Sequence, residues 1–229
     1  MTPDILEQII ADRAAKRQFV SATNLGTGAV RLIHADQADG AADPLWQAAF
    51  AAMRADKPTT VETDDGAVFL NVFNPPLRMI IVGAVHISQA LAPMAVIAGY
   101  HVIIIDPRRA WATAERFGDV ELIDEWPDDA MTALDPDRRT AVVTLTHDPK
   151  LDDPALDVAL RSNCFYIGAL GSKRTHARRL DRLTERGFDA DAFARINGPI
   201  GLDIGAKSPA EIALAILGQV TETLRRSPS

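Results

Sequence analysis

The stretch RMIIVGAVHISQAL at residues 78–91 decides how the chain is read. An apolar run, residues 79–82, stops at Gly83, and a segment with helical spacing of apolar residues follows. That is the signature of a buried strand turning sharply into a helix. A dinucleotide-binding turn has the same layout with the pattern Gly-x-Gly-x-x-Gly, but here the three positions hold Gly83, Val85 and Ser88. Gly83 still permits the tight turn, and the helix start still offers N–H groups to an anion. Val85 in place of glycine blocks the closest approach of a pyrophosphate to the backbone. The turn is either a drifted nicotinamide site or a Rossmann-type turn put to another use.

Outward from this turn the pattern repeats. Apolar, β-branched runs at 78–83, 101–106, 119–124, 140–146 and 163–168 alternate with amphipathic stretches at 88–99, 109–117, 127–134, 152–162 and 172–187. The last helix starts at SPAE, with Ser208 as N-cap, Pro209 in the first helical position and Glu211 completing a capping box. The alternation predicts an α/β fold with a doubly wound, mostly parallel Rossmann-like sheet of strand order 3-2-1-4-5. This domain is expected over 77–229, after a small α+β region over 1–76. In that region a helix at 5–15 places Ile5, Leu6, Ile9 and Ile10 on one face. Hairpin-like segments at 17–35 and 59–73 follow, the second turning at Asp65-Gly66, with a helix at 45–54 between them.

The chain has 229 residues, 47% of them hydrophobic, and a net charge of −7. Its acidic balance argues against a nucleic-acid partner, which calls for a basic face. Without an apolar run of about 18 residues, no membrane span is expected. The start, MTPDILEQIIADRAAKR, lacks the apolar segment of a signal peptide, so a cytoplasmic location is expected. The single cysteine, Cys164, excludes an internal disulfide and a multi-cysteine zinc site, and its apolar strand makes it a small core residue.

In an open parallel sheet, ligands bind beyond the carboxyl ends of the strands. The turns there are expected to bring together Gly83 and His86, then Asp106, then Thr146, His147 and Asp148, then Gly168, Gly171, Ser172, Lys173 and Arg174. Asp203 sits in a late glycine-rich loop. Asp106 stands 23 residues after Gly83, where an acidic residue would hold a ribose hydroxyl; an ordinary turn or cap is the competing reading. GALGSKRTH is the better anion cradle: backbone amides, a helix start and two cations converge, and cations at a helix N-terminus are unfavourable unless something anionic meets them. His147 and Asp148 have the chemistry for general acid–base work or for orienting a ligand. Asp152 and Asp153, before Pro154, read as helix caps. His86 stands at a helix start as a core or rim residue, while His34 and His101 read as structural. No metal-ligand spacing, nucleophile elbow or Walker loop is present.

The blocks LRMIIVGAVHISQALAPMAVIAGYHVIIIDPRRAWATAERF, TAVVTLTHDPKLDDPAL, FYIGALGSKRTHARRL and GPIGLDIGAKSPAEIALAI occur in that order between residues 77 and 216, within a resemblance that covers 67–225. They resemble the xanthine dehydrogenase accessory family of the XdhC/CoxI type. The resemblance implies a cofactor-binding chaperone more than a catalyst. Such a protein binds the molybdenum cofactor, supports its sulfuration and delivers it to a molybdenum hydroxylase apoenzyme. Absent NAD glycines count against a nicotinamide enzyme more than against this reading, because molybdopterin presents a phosphate without having to cross the sheet as NAD does. An NAD(P)-dependent oxidoreductase and a nucleotide-sensing module are the alternatives. The family's glycine-rich, cysteine-containing N-terminal stretch has no counterpart in residues 1–66, so the chain is expected either to bind the cofactor less tightly or to work with a separate short subunit that supplies the stretch. A homodimer is the default oligomer.

Overall fold

In the computed structural model, which describes residues 2–36 and 43–226, the chain divides into two units, Met1–Pro75 and Pro76–Ser229. The first unit runs α1 (Pro3–Ala14), β1 (Phe19–Asn24), β2 (Val30–His34), α2 (Pro44–Ala55), β3 (Thr59–Thr63) and β4 (Gly66–Phe73). Its two hairpins are joined into one antiparallel sheet of order β2-β1-β4-β3. Pairing of β1 with β4 sets Phe19 opposite Phe73, and their rings stack at 4.8 Å. Ala49 and Met53 of α2 pack with Val20, Ala22, Ile33 and Leu70 of the sheet.

The face of α1 differs from the one its apolar residues predict. Ile9 is buried as expected, but Leu6 and Ile10 are 49% and 60% exposed, and Asp12 is buried in their stead. The reason is polar: Asp12 accepts from Gln8 Nε2 (2.9 Å) and Arg17 Nη1 (3.2 Å), and meets His34 Nε2 at 2.7 Å. Turning Asp12 inward selects the i, i+4, i+7 row Ile5–Ile9–Asp12 as the inner face.

The second unit runs β5 (Arg78–Val82), α3 (His86–Ile97), β6 (His101–Ile105), α4 (Ala114–Phe117), β7 (Glu121–Ile123), α5 (Pro127–Leu134), β8 (Thr140–Thr144), α6 (Pro149–Arg161), β9 (Tyr166–Ala169), α7 (Lys173–Glu185), α8 (Ala190–Ala194), β10 (Ile196–Asn197) and α9 (Pro209–Arg226). The six strands form one parallel sheet of order β10-β9-β8-β5-β6-β7. In order of appearance this is the expected 3-2-1-4-5, extended by a sixth strand of two residues. The continuous apolar runs feed both faces. Met79, Ile81, Ile104 and Val143 belong to the core with Leu91 of α3 and Ile216 of α9, while Ile80, Val82, Ile103 and Val142 face Leu156 of α6 and Leu183 of α7. Each such side chain, fully removed from water, contributes about 1.5–3 kcal/mol. The capping box of α9 forms as read: Glu211 N–H donates to Ser208 Oγ (3.2 Å), and Glu211 Oε2 accepts from the N–H groups of Ser208 and Lys207 (both 2.8 Å). From β5 the chain winds first through β6 and β7 and then back to β8 on the other side. The point of reversal therefore lies between β5 and β8, where an open α/β sheet offers its crevice.

Candidate functional site

At the end of β5 the backbone of Gly83 takes φ +111°, and a Cβ placed there would lie 2.5 Å from Thr146 Cγ2. Only a glycine lets the β5 and β8 turns close on each other in this way. Thr146 is itself fixed: its Oγ1 donates to Asp152 Oδ1 (2.6 Å) and accepts from the Asp148 N–H (3.1 Å). His147 follows, exposed and left-handed at φ +61°. Asp148 caps α6 by accepting from the Lys150 N–H at 2.9 Å. The caps expected at Asp152 and Asp153 are thus elsewhere. Asp152 turns inward towards Thr146, and Asp153 takes Arg182 in a two-point contact of 2.5 and 3.0 Å. Helix α6 begins three residues earlier than read, because Pro149 fits its first turn and Pro154 is carried inside.

Asp106, fully buried at the end of β6, has a complete set of partners. Its Oδ2 accepts from the Ala84 N–H (2.7 Å) and Arg108 Nη2 (2.7 Å), and its Oδ1 from Arg108 N–H (3.0 Å) and Nε (2.8 Å). Burial pushes this carboxyl up, but the Arg108 guanidinium and the two backbone donors outweigh it and hold the group below the usual carboxylate range. Four donors fill the lone-pair sites of a carboxylate, so none is left for a ribose hydroxyl. Arg116 closes the same corner by donating to the Ala84 carbonyl (2.8 Å) and Gln89 Oε1 (3.0 Å). His86 is the exposed first residue of α3.

On the other side of the crevice, β9 runs into α7. Gly168 lies inside β9, and the place of its missing Cβ is filled by Ile200 and Tyr166, which seats the late loop against the sheet. Gly171 bends the chain at φ +145°. Ser172 caps α7, its Oγ accepting from the Thr175 N–H at 3.1 Å. Lys173 and Arg174 are exposed, and among the described residues neither is in an ion pair. Asp203 is exposed in the loop before α9. Leu170 N–H donates to Thr144 O (2.9 Å) and Ile200 N–H to Ala169 O (3.2 Å), so the three turns are stitched along one edge.

One residue behind this edge escaped the sequence reading, and it meets Asp152, which the sequence presents as a helix cap. Arg179 of α7 is only 2% exposed. Its Nη2 donates to Leu170 O (2.8 Å) and forms an ion pair with Asp152 Oδ2 at 3.6 Å, while Nε, Nη1 and Asp152 Oδ2 have no hydrogen-bond partner. Burial pushes Asp152 up and Arg179 down, in each case against the pull of its opposite charge. Burial and the nearby Arg179 also lower His176. The available signal was periodicity: Arg179 shares the i, i+3, i+4, i+7 face of His176, Leu180 and Leu183, which is the apolar side of α7.

A cavity of about 820 Å³ in the first unit is lined in part by Asn24, Arg31, Asp43 and Asp65. Two of its polar pairs are already made, Arg31 with Asp43 at 2.9 Å and Asn24 Nδ2 with Asp65 O at 2.8 Å; the carboxyl edge of the second unit, where an open parallel sheet binds ligands, is the better candidate. Among the described residues no cluster of His, Cys, Asp and Glu could hold a metal ion, and no helix is long and apolar enough to cross a membrane.

Fold and edge together define a Rossmann-type domain whose first turn has been rebuilt away from the dinucleotide pattern. The family model described as XdhC Rossmann domain matches residues 79–220, and the chain belongs to that family. It is 33% identical over 148 residues to the molybdenum cofactor insertion chaperone PaoD of Escherichia coli K12, a match covering 65% of this chain and 40% of that protein. It is 31% identical over 160 residues to a probable xanthine dehydrogenase subunit of Bacillus subtilis 168, covering 69% of this chain and 46% of that one. The chain therefore spans less than half the length of these curated relatives. A crystal structure described as a xanthine dehydrogenase from Bacillus halodurans superimposes with a TM-score of 0.67 at 21% identity, covering 99% of this chain and 65% of that one, and shares its fold.

Proposed function

We propose that the chain is a maturation factor for a molybdenum hydroxylase of the xanthine dehydrogenase type. In this reading it binds the molybdenum cofactor at the carboxyl edge, supports its sulfuration and hands it to the apoenzyme. The observation that carries this is the pairing of a rebuilt dinucleotide turn, its ribose-binding carboxylate saturated by Arg108, with two exposed cations at the start of α7. That donor set suits a ligand bearing a phosphate and disfavours a ribose. The names of two relatives, an insertion chaperone and a probable dehydrogenase subunit, support the same direction.

When bound, the cofactor would bring the molybdenum and its sulfur ligands; the chain's own residues would hold and orient it. Lys173 and Arg174, with the first-turn N–H groups of α7, would take the phosphate. His147 and Asp148, in the neighbouring turn after β8, would orient polar groups of the ring system. No nucleophile is needed for such a role.

The test is retention of molybdenum cofactor by the purified chain on ultrafiltration, read as fluorescence of the oxidised pterin, with NADH as a parallel ligand. Retention of pterin without NADH is expected, and the Lys173→Ala, Arg174→Ala double variant should lose roughly tenfold in affinity while its melting temperature stays put. Retention of NADH alone would overturn the reading in favour of a nicotinamide-dependent oxidoreductase.

A further inference from the structure

In a dinucleotide-binding Rossmann fold the phosphates sit at the first strand-to-helix turn. Here that turn is already occupied from within. The Ala84 N–H, the amide that would greet a phosphate, is bonded to the Asp106 carboxylate at 2.7 Å, and a second negative charge brought there would meet Asp106 itself. The opposite condition holds at α7. Beneath residues 170–174 lies the Arg179 guanidinium, 2% exposed, with Nε and Nη1 lacking any acceptor. It lies against the loop: its Nη2 is bonded to Leu170 O at 2.8 Å and would stand 3.8 Å from a Cβ on Gly171. The nearest carboxylate oxygen, Asp152 Oδ2, forms an ion pair with Nη2 at 3.6 Å, beyond hydrogen-bond reach, and accepts no hydrogen bond either. Asp153, the next acid along, is taken by Arg182. A buried donor without an acceptor is costly, and such a group in a native fold calls for a partner.

We infer that the phosphate-bearing end of the ligand is held at the start of α7, with Arg179 as its buried anchor, so that the ligand lies reversed relative to the dinucleotide arrangement. The inference deepens the cofactor-binding reading above and rests on it for the site's location. Three kinds of donor meet there: the Lys173 and Arg174 N–H groups that open a 13-residue helix, the exposed side chains of the same two residues, and the guanidinium under the floor. The left-handed bend at Gly171 brings the backbone close over Thr175, where a Cβ would lie 3.0 Å from Thr175 Cβ and Cγ2. A side chain at that position would stand between an anion and the helix start. Arg179 neutralises charge from below and fixes the Leu170 carbonyl away from the ligand, so that the loop presents donors.

The experiment titrates inorganic phosphate into the full ¹⁵N-labelled chain, with chloride at equal ionic strength as control. The expected result is saturable movement of the Gly171, Ser172, Lys173 and Arg174 amides and of the Arg179 Nε–H resonance. The paired substitution Arg179→Met with Asp152→Asn removes both buried charges together, and should weaken phosphate by about tenfold or more. Arg108→Lys should leave it unchanged. If the paired variant does not fold, the wild-type titration decides alone. Movement confined to the amides of residues 84–88, or none beyond the chloride control, overturns the inference. Retention of pterin with phosphate shifts at residues 84–88 would sink only the reversed placement. Phosphate shifts at α7 without pterin retention would sink only the cofactor reading.

Discussion

Gly83→Ala tests the contact on which the crevice is built. The backbone there has φ +111°, a conformation that costs a residue with a Cβ about 1–3 kcal/mol. The new methyl would also fall 2.5 Å from Thr146 Cγ2. Thr146 cannot swing aside, because its Oγ1 is bonded both to Asp152 Oδ1 at 2.6 Å and to the Asp148 N–H at 3.1 Å. Overpacking of this kind costs about 1–3 kcal/mol more, for a total of roughly 2–6 kcal/mol. The two contributions separate in a double-mutant cycle with Thr146→Ser, which deletes Cγ2 and keeps the hydroxyl. In the Thr146→Ser background, Gly83→Ala should lose only the backbone share of about 1–3 kcal/mol. Urea unfolding followed by far-UV circular dichroism reads the difference from the midpoints. A Gly83→Ala variant within about 0.5 kcal/mol of the parent, or an equal loss with and without Cγ2, would refute the reasoning.

Three further outcomes are expected. Glu211→Ala removes one half of the α9 capping box and should speed hydrogen exchange at the Ser208 and Lys207 amides; unchanged exchange would contradict the box. Because Asp106 is held below the ordinary carboxylate range, its stabilisation is complete above the unfolded value near pH ~3.9 and is lost as the pH falls from there through the lower folded value. Asp106→Asn should trail the parent most at neutral pH and approach it in acid, and urea midpoints showing a constant gap from about pH 7 to about pH 3 would exclude this linkage. Cys164 is buried and its thiol is pushed up by that burial, so a thiol reagent should modify it only on unfolding; stoichiometric labelling of the native chain would show the thiol to be accessible.

Much of the second unit was legible because buried parallel strands announce themselves. The isoleucine and valine runs at 79–82 and 102–105 read as strands whatever their neighbours, and a helix opening on Pro127 or Ser208-Pro209 carries its own start signal. What stayed hidden depends on three dimensions. Strand β10 is two residues long and helix α8 five, too short for a period to show. Pro154 resembles a helix start in one dimension, while the true start is at Pro149. The inner face of α1 follows from His34, a partner 22 residues along the chain from Asp12. For the candidate site, the turns that line the edge could be named from topology. The roles of Asp106 and Arg179 could not, because a saturated carboxylate and a guanidinium with two unsatisfied nitrogens differ from ordinary ones only in what surrounds them.

The parallel sheet ends in stubs, three residues in β7 on one side and two in β10 on the other. An outside strand laid along either border would find only two or three residues to pair with, too little for stable strand addition. The second unit is therefore poorly suited to self-templated stacking, and it also offers little grip to a client that docks by lending a strand. A partner docking on the second unit would therefore be read through side chains, and its specificity would be written in the composition of the turns and would change by point substitution rather than by register.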